Sequence, residues 1–299
     1  MQTSLKDRVS GSLLAGALGD AWGVPFEGCT GPAHFSIPEC PIFSDDTQLT
    51  VATCESVLDC GYVDPANIAT RFLKWFLAGR IRGIGASTLK AMRDLAAGTH
   101  WAVAGAHGEY AAGNGAAMRV APLAFLLDPH NSRERALIRD VCWITHRNDE
   151  AYSGALAIVL AIRSVLKGTW SEIHSFLDVV VDDLPDSAVR DRVAQLIPLK
   201  ITPSEVAARF GASGYVVDTV PLALYCAQLV ASRPLVDVLQ EAIEMGGDTD
   251  TIASIAGQVA GTVVGRDEAS REYFLQIGDT EGVTSVVEKF AEFVAARYP

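Results

Sequence analysis

Two short acidic clusters lie about 200 residues apart in this chain. One is Ser44-Asp45-Asp46-Thr47. The other is Asp248-Thr249-Asp250-Thr251, directly after Gly246-Gly247. Each packs two carboxylates among hydroxyl groups and opens a run with the spacing of a buried helix. Leu49, Ala52, Thr53, Ser56 and Val57 follow the first; the second leads into a helix expected from about Thr251 through Val264. Carboxylates this close repel unless a proton or a cation neutralises them. The donors are all hard oxygens, which suit Mg²⁺, Mn²⁺ or Ca²⁺. Helix capping competes as an explanation, since Asp, Ser and Thr are ordinary N-caps. A cap or capping box uses one acid, however, and each cluster offers two. The expectation is a metal site closed by the two ends of the chain.

A third carboxylate, Glu27, sits in Gly19-Asp20-Ala21-Trp22-Gly23-Val24-Pro25-Phe26-Glu27-Gly28, where a helix gives way to a loop. It can either reach such a site or stay in solvent.

The elements that must position these groups read as helices. Asp64-Pro65 is an N-cap followed by proline at N1, and Ile68, Phe72, Trp75 and Phe76 then recur at helical spacing up to Gly79. Ser132 is expected to cap a helix carrying Leu137, Val141 and Ile144. Residues 151–166 are apolar nearly all round, the mark of a central buried helix. Asp218 is expected to start another through Leu222, Tyr225 and Leu229, and a helix over 233–245 ends at the glycine pair. Val283, Val286, Val287, Phe290, Phe293 and Val294 form the stripe of the last one. The best strand candidate is Val179-Val180-Val181, and no βαβ alternation is present. Residues 28–43 hold three prolines and read as a flexible flap, and residues 98–118 as a glycine-rich loop. The fold class expected is therefore all-α: a compact orthogonal bundle of ten or more helices, forming a single domain over 1–299.

Composition narrows the function. Lys+Arg number 24 against Asp+Glu 36, a net charge of −12, so nucleic acid is not an expected partner. A small anion is still admissible, because helix N-termini bind phosphate without net positive charge. None of the six cysteines forms a CxxC pair, so they read as reduced thiols of a cytoplasmic protein rather than a zinc site. Lys6 and Arg8 before an apolar stretch loosely imitate a signal peptide. Asp7, Gly16 and Gly19 interrupt that pattern, and Asp20 ends the run. No membrane span is expected, since no apolar run reaches about 18 residues.

The segments GALGDAWGVPFEG, FSDDTQLT, GNGAAMRVAPLA, THRNDEA and MGGDTDTIASIAGQVAG occur in the order and spacing of the ADP-ribosylglycohydrolase family. The resemblance covers about residues 8 to 265. It implies an all-α fold with a centre of two ions, Mg²⁺ or Mn²⁺, and hydrolysis of the bond from C1″ of ADP-ribose to a protein side chain or related acceptor. Carried over, Ser44, Asp45 and Asp46 resemble the first metal-ligand triplet, with serine for the commoner threonine. Asp248, Asp250 and Thr251 resemble the second. Glu27 matches the glutamate of the mobile loop, so Glu27 and Asp45 are the candidate catalytic carboxylates. Gly113, Asn114 and Gly115 resemble the turn that holds the distal ribose and diphosphate through its backbone and the Asn side chain. His146 matches a histidine near the phosphates. Where some relatives carry Ser-Tyr, with the tyrosine on adenine, this chain has Ala111-Ala112, leaving Tyr110 or Trp101 as substitutes.

The implied partner is an ADP-ribosylated protein or ADP-ribose derivative, with arginine-linked ADP-ribose favoured over serine- or acetyl-linked forms and a monomeric enzyme expected. A catalytically silent relative that binds a partner or serves a structural role would be expected to have lost ligand positions. A terpene synthase shares paired aspartates and Mg²⁺ but needs an aromatic cavity, and only 8% of this chain is aromatic.

Overall fold

The first helix, Leu5–Gly23, begins where the Ser4 hydroxyl accepts the Asp7 amide at 3.1 Å. It runs three residues past Asp20 because glycines line one side of it. A Cβ on Gly11 would overlap the Gly265 carbonyl, and one on Gly19 would overlap Ala253. From the other side, a Cβ on Gly257 would overlap the Ala15 carbonyl. This helix and Thr249–Val264 therefore run antiparallel with their backbones touching. The Thr249 hydroxyl donates to the Gly23 carbonyl at 2.8 Å, which ties the end of one helix to the start of the other. Two segments more than 200 residues apart in sequence meet here.

A computed structural model describes residues 3–171 and 174–297 and contains sixteen α-helices. Around the antiparallel pair pack Asp45–Cys60, Val216–Ala227, Leu235–Glu244 and the last helix, Thr280–Arg297. Asp149–Lys167 is the central buried helix that its all-round apolar sequence predicts. Among the described residues the fold is all-α apart from one parallel pairing of two residues each, Ala106–His107 with His146–Arg147, and two isolated bridges. No helix among the described residues is long and apolar enough to cross a membrane.

Three sequence expectations need correction. Val179–Val181 is not a strand: Phe176–Val180 is helical and Val181–Asp183 continues as 3₁₀. The Ser175–Asp178 capping box starts this helix, and Phe176, Leu177 and Val180 are buried at helical spacing, which overrides the β-branched run. The cap of Ser132–Trp143 is Asn131, whose Oδ1 accepts the amides of Arg133 and Glu134, so Ser132 is the first helical residue. Asp218 does not start its helix, which runs from Val216. Its carboxylate is engaged by the Ser213 hydroxyl at 2.7 Å and Arg192 at 3.3 Å.

Candidate active site

The helix Asp45–Cys60 places the first cluster. Ser44 is its N-cap and accepts the Asp46 amide at 3.3 Å. Asp20 completes the turn from the first helix: its buried carboxylate accepts the amides of Ser44 and Thr47 at 3.1 Å and the Thr47 hydroxyl. Ser44 and Asp20 thus serve the amides of Ser44, Asp46 and Thr47, and Asp45 and Asp46 are both buried and line a cavity.

The second cluster starts from glycine. Gly246 and Gly247 both have positive φ, 74° and 78°, a region that glycine enters without strain. A Cβ on either would overlap a carbonyl, of Gly31 and Ala212 respectively. Asp248 occupies the N-cap position of Thr249–Val264 but caps nothing. Its carboxylate instead accepts from Asn114 Nδ2 at 2.6 Å, and the same amide group donates to Thr219 at 3.0 Å. Asp250 Oδ1 does accept the Thr251 amide at 2.9 Å, so capping accounts for one acid here but not for the pair.

The clusters meet. Ser44 and Thr251 both donate to Asp46 Oδ2 at 3.3 Å. Glu27, Asp248 and Asp250 each offer an oxygen within 4.8 Å of the others. Together with Asp45 they line one cavity of about 260 Å³. Burial and crowding raise the pKa of the acids. Burial and then Asp20 push Asp45 up to about 8; burial and then Asp248 push Asp250 up to about 10. Asp46 is raised well above the usual range by burial and then Asp250. Burial raises Asp20 to about 6, opposed by its hydrogen bonds to Ser44 and Thr47, and Glu27 is raised by burial and then Asp248.

The residues fit a divalent cation. Asp46 Oδ1 is buried with no hydrogen-bond partner among the described residues, beside an all-oxygen donor set in need of positive charge. Ser44, Asp45, Asp46, Asp248, Asp250 and Thr251 are the residues that would hold it, with Glu27 at the open side.

The same cavity offers donors beside the acids. Gly113, Asn114 and Gly115 line the cavity, as do Gly83, Gly85, Ala86, Ser87 and Thr88. Helix Ala86–Ala96 opens there, and Gly85 gives it no side-chain cap, so its first amides face the cavity. His146 is 3% exposed, and burial and then Arg119 lower its pKa to about 3, so it is a neutral donor. The Asn114 side chain departs from expectation, because both of its N–H groups serve Asp248 and Thr219; its backbone and the flanking glycines form the cavity wall.

Sequence reasoning missed Asp20, Arg119, the Gly83–Thr88 segment and Tyr215. The run Gly83-Ile84-Gly85-Ala86-Ser87-Thr88, glycines opening a helix, was a readable signal for the third of these. Tyr215 pairs with Gly113 across an isolated bridge and is 43% exposed beside the cavity. Tyr110 is 99% exposed, and Trp101 packs on His100.

The family model for ADP-ribosylglycohydrolase matches residues 1–298. The chain belongs to the ADP-ribosylglycohydrolase family. It is a hydrolase of glycosidic bonds to ADP-ribose. An uncharacterised protein of Archaeoglobus fulgidus is 30% identical, over 86% of this chain and 88% of its own length. Human ADP-ribosylhydrolase ARH3 is 27% identical, over 77% of this chain and 73% of its own. A solved structure titled ADP-ribosylglycohydrolase-related protein complex shares the fold, with a TM-score of 0.69 at 22% identity, covering 97% of this chain and 99% of that one.

Proposed function

We propose that this ADP-ribosylglycohydrolase is a metal-dependent enzyme that removes ADP-ribose from modified protein side chains, arginine-linked ADP-ribose first among them. The observation that carries the reading is one cavity whose lining has two unlike parts: buried acids with an orphaned oxygen, and beside them backbone amides and the neutral donor His146. ADP-ribose is itself two-ended in this sense. Its terminal ribose hydroxyls suit the acidic wall. Its diphosphate suits the amides of Gly113 and Gly115, the Asn114 amide being taken by the Gly214 carbonyl at 3.1 Å, and those of the helix opening at Ala86. Tyr215, at the lip, offers the adenine a stacking face in place of the absent tyrosine.

A bound divalent cation supplies neutralising charge at the carboxylates and Lewis acidity at the hydroxyls they face. The protein does the rest. The acidic wall fixes the ribose and stabilises positive charge that develops at C1″ as the acceptor leaves. Glu27 takes the proton of the attacking water; being the most open of the carboxylates, it can return that proton to solvent. Water oxygen bonds to C1″, the C1″–N bond breaks, and its electron pair stays on the departing nitrogen. The arginine side chain leaves as a guanidine that takes up a proton. An exposed carboxylate at the mouth suits this cationic acceptor better than a neutral serine, whose alkoxide also needs more help from an acid.

The test is a panel of arginine-, serine- and acetyl-linked ADP-ribose substrates, each with and without Mg²⁺. Turnover of the arginine-linked form only with the metal is expected. No turnover of any substrate, with ADP-ribose still bound, would replace this reading with a binding-only one.

A further inference from the structure

Arg119 is 1% exposed and makes no ion pair among the described residues. Burial lowers its pKa to about 10, so it is charged at neutral pH. Its guanidinium lies over the Phe72 ring at 5.0 Å, and its Nε has no partner among the described residues. An unpaired buried cation is costly, so its two contacts merit a reason. Nη1 donates to the carbonyl of Gly115, a residue of the turn that lines the cavity, while Arg119 itself does not line it. Nη2 donates to Thr145 Oγ1 at 2.6 Å. That hydroxyl stands 2.8 Å from His146 Nδ1.

The direction of the chain of bonds follows from chemistry. A guanidinium only donates, so Thr145 Oγ1 accepts from Arg119. The hydroxyl hydrogen has one acceptor among the described residues, His146 Nδ1. A ring nitrogen that accepts is unprotonated, so the ring hydrogen of a neutral His146 resides on Nε2. Nε2 is the edge turned to the glycine turn, 3.3 Å from where a Cβ of Gly113 or Gly115 would lie. We propose that Arg119 is a positioning residue that acts through Thr145 to hold His146 as the Nε2–H tautomer, aiming an uncharged donor at the diphosphate while pinning the Gly115 carbonyl away from it. A guanidinium in direct contact would grip diphosphate and released product alike; a buried one transmits orientation without a salt bridge.

The diphosphate rests on the function proposed above; the tautomer does not, and the experiment separates them. ¹⁵N NMR of histidine-labelled, ligand-free protein should show His146 protonated on Nε2 in the wild type and in Thr145→Ser. Thr145→Val should show a mixture or the other tautomer. In parallel, ADP-ribose affinity should fall about tenfold in Thr145→Val and recover in Thr145→Ser. KM should rise with kcat within about twofold, since the group binds substrate and transition state alike. Arg119→Met should shift the tautomer as Thr145→Val does; if it fails to fold, the threonine pair decides the matter. Protonation of His146 on Nδ1 in the wild type, or a Thr145→Val protein with wild-type tautomer and affinity, would overturn the proposal. A wild type that binds no ADP-ribose yet shows the Nε2–H tautomer would sink the substrate reading and leave the relay standing.

Discussion

The first acidic cluster rests on a finished helix start: Ser44 caps it, Asp20 holds three of its donors, and Asp45 and Asp46 are left over for the cavity. The second has no such support. It begins on two glycines in the left-handed region, its N-cap side chain caps nothing, and Asn114 from a distant turn holds Asp248 in place. One half is positioned by its own segment and the helix before it. The other is positioned by a helix crossing and a remote amide. The same pair of carboxylates can be preorganised locally or by tertiary contact, and the two routes fail differently.

The largest effect that breaks the comparison is removal of both halves. Asp45→Ala/Asp250→Ala should lose more than about a hundredfold in Mg²⁺ or Mn²⁺ affinity by calorimetry, since it deletes ligands and not only their supports. Wild-type affinity in the double variant would mean that the two clusters do not share a site.

Next comes the crossing. A Cβ on Gly23 would overlap the Asp250 backbone. Gly23→Ala should cost about 1–3 kcal/mol in denaturant unfolding and weaken metal binding. It should do so with little change in the amide protection of Ser44–Thr47, because Asp20 keeps that turn. Loss of protection there would show that the first cluster depends on the second.

Sharpening the contrast further, Asp20→Asn and Asn114→Ala remove one support each. Each should lower metal affinity by about 10- to 100-fold. Asp20→Asn should also destabilise the fold by about 1–3 kcal/mol, since it weakens the acceptor of buried donors, while Asn114→Ala should cost less. Equal stability losses would erase the proposed difference.

A further effect is graded by pH. Asp45 and Asp250 have folded values near 8 and 10, against an unfolded value near 3.8. The folded metal-free state therefore binds more protons, and stability present in acid is lost as pH rises through those values. The Tm of the chelator-treated protein should fall between pH 6 and pH 9 by more than that of the Mg²⁺-loaded protein. Parallel Tm curves with and without Mg²⁺ would argue that no cation relieves these acids.

Much of this was readable in the residues. Capping could explain one acid of each pair but not both, and Ser44, Asp46, Asp248 and Thr251 do converge, because a surplus of buried charge is a local signal that only a tertiary partner resolves. Helices such as Asp149–Lys167 announced themselves by period. What stayed hidden was relational. Asp20 looked like the end of an apolar run because nothing near it in sequence names the amides it accepts 24 and 27 residues on. The Asn114 amide belongs to a carboxylate 134 residues away, and Arg119 carried no periodic or charge signature at all. Residues 28–43, expected as a flap, are stitched at their start to the second cluster. Gly28 donates to the Gly247 carbonyl at 2.8 Å, Gly247 to Cys29 at 3.0 Å, and Phe35 packs on Trp22. Proline and glycine content reports freedom from helix, not freedom from contact.

The antiparallel glycine-lined helices have a consequence for biosynthesis. A chain leaving the ribosome presents Leu5–Gly23 more than 200 residues before its mate, and that helix cannot bury its glycine face until Thr249–Val264 has emerged. Every earlier nascent length carries half of the acidic centre, with the first helix short of its partner. The acidic centre is thereby incomplete until Thr249–Val264 has been made, and the exposed early helix is where a holding chaperone would find a long-lived target.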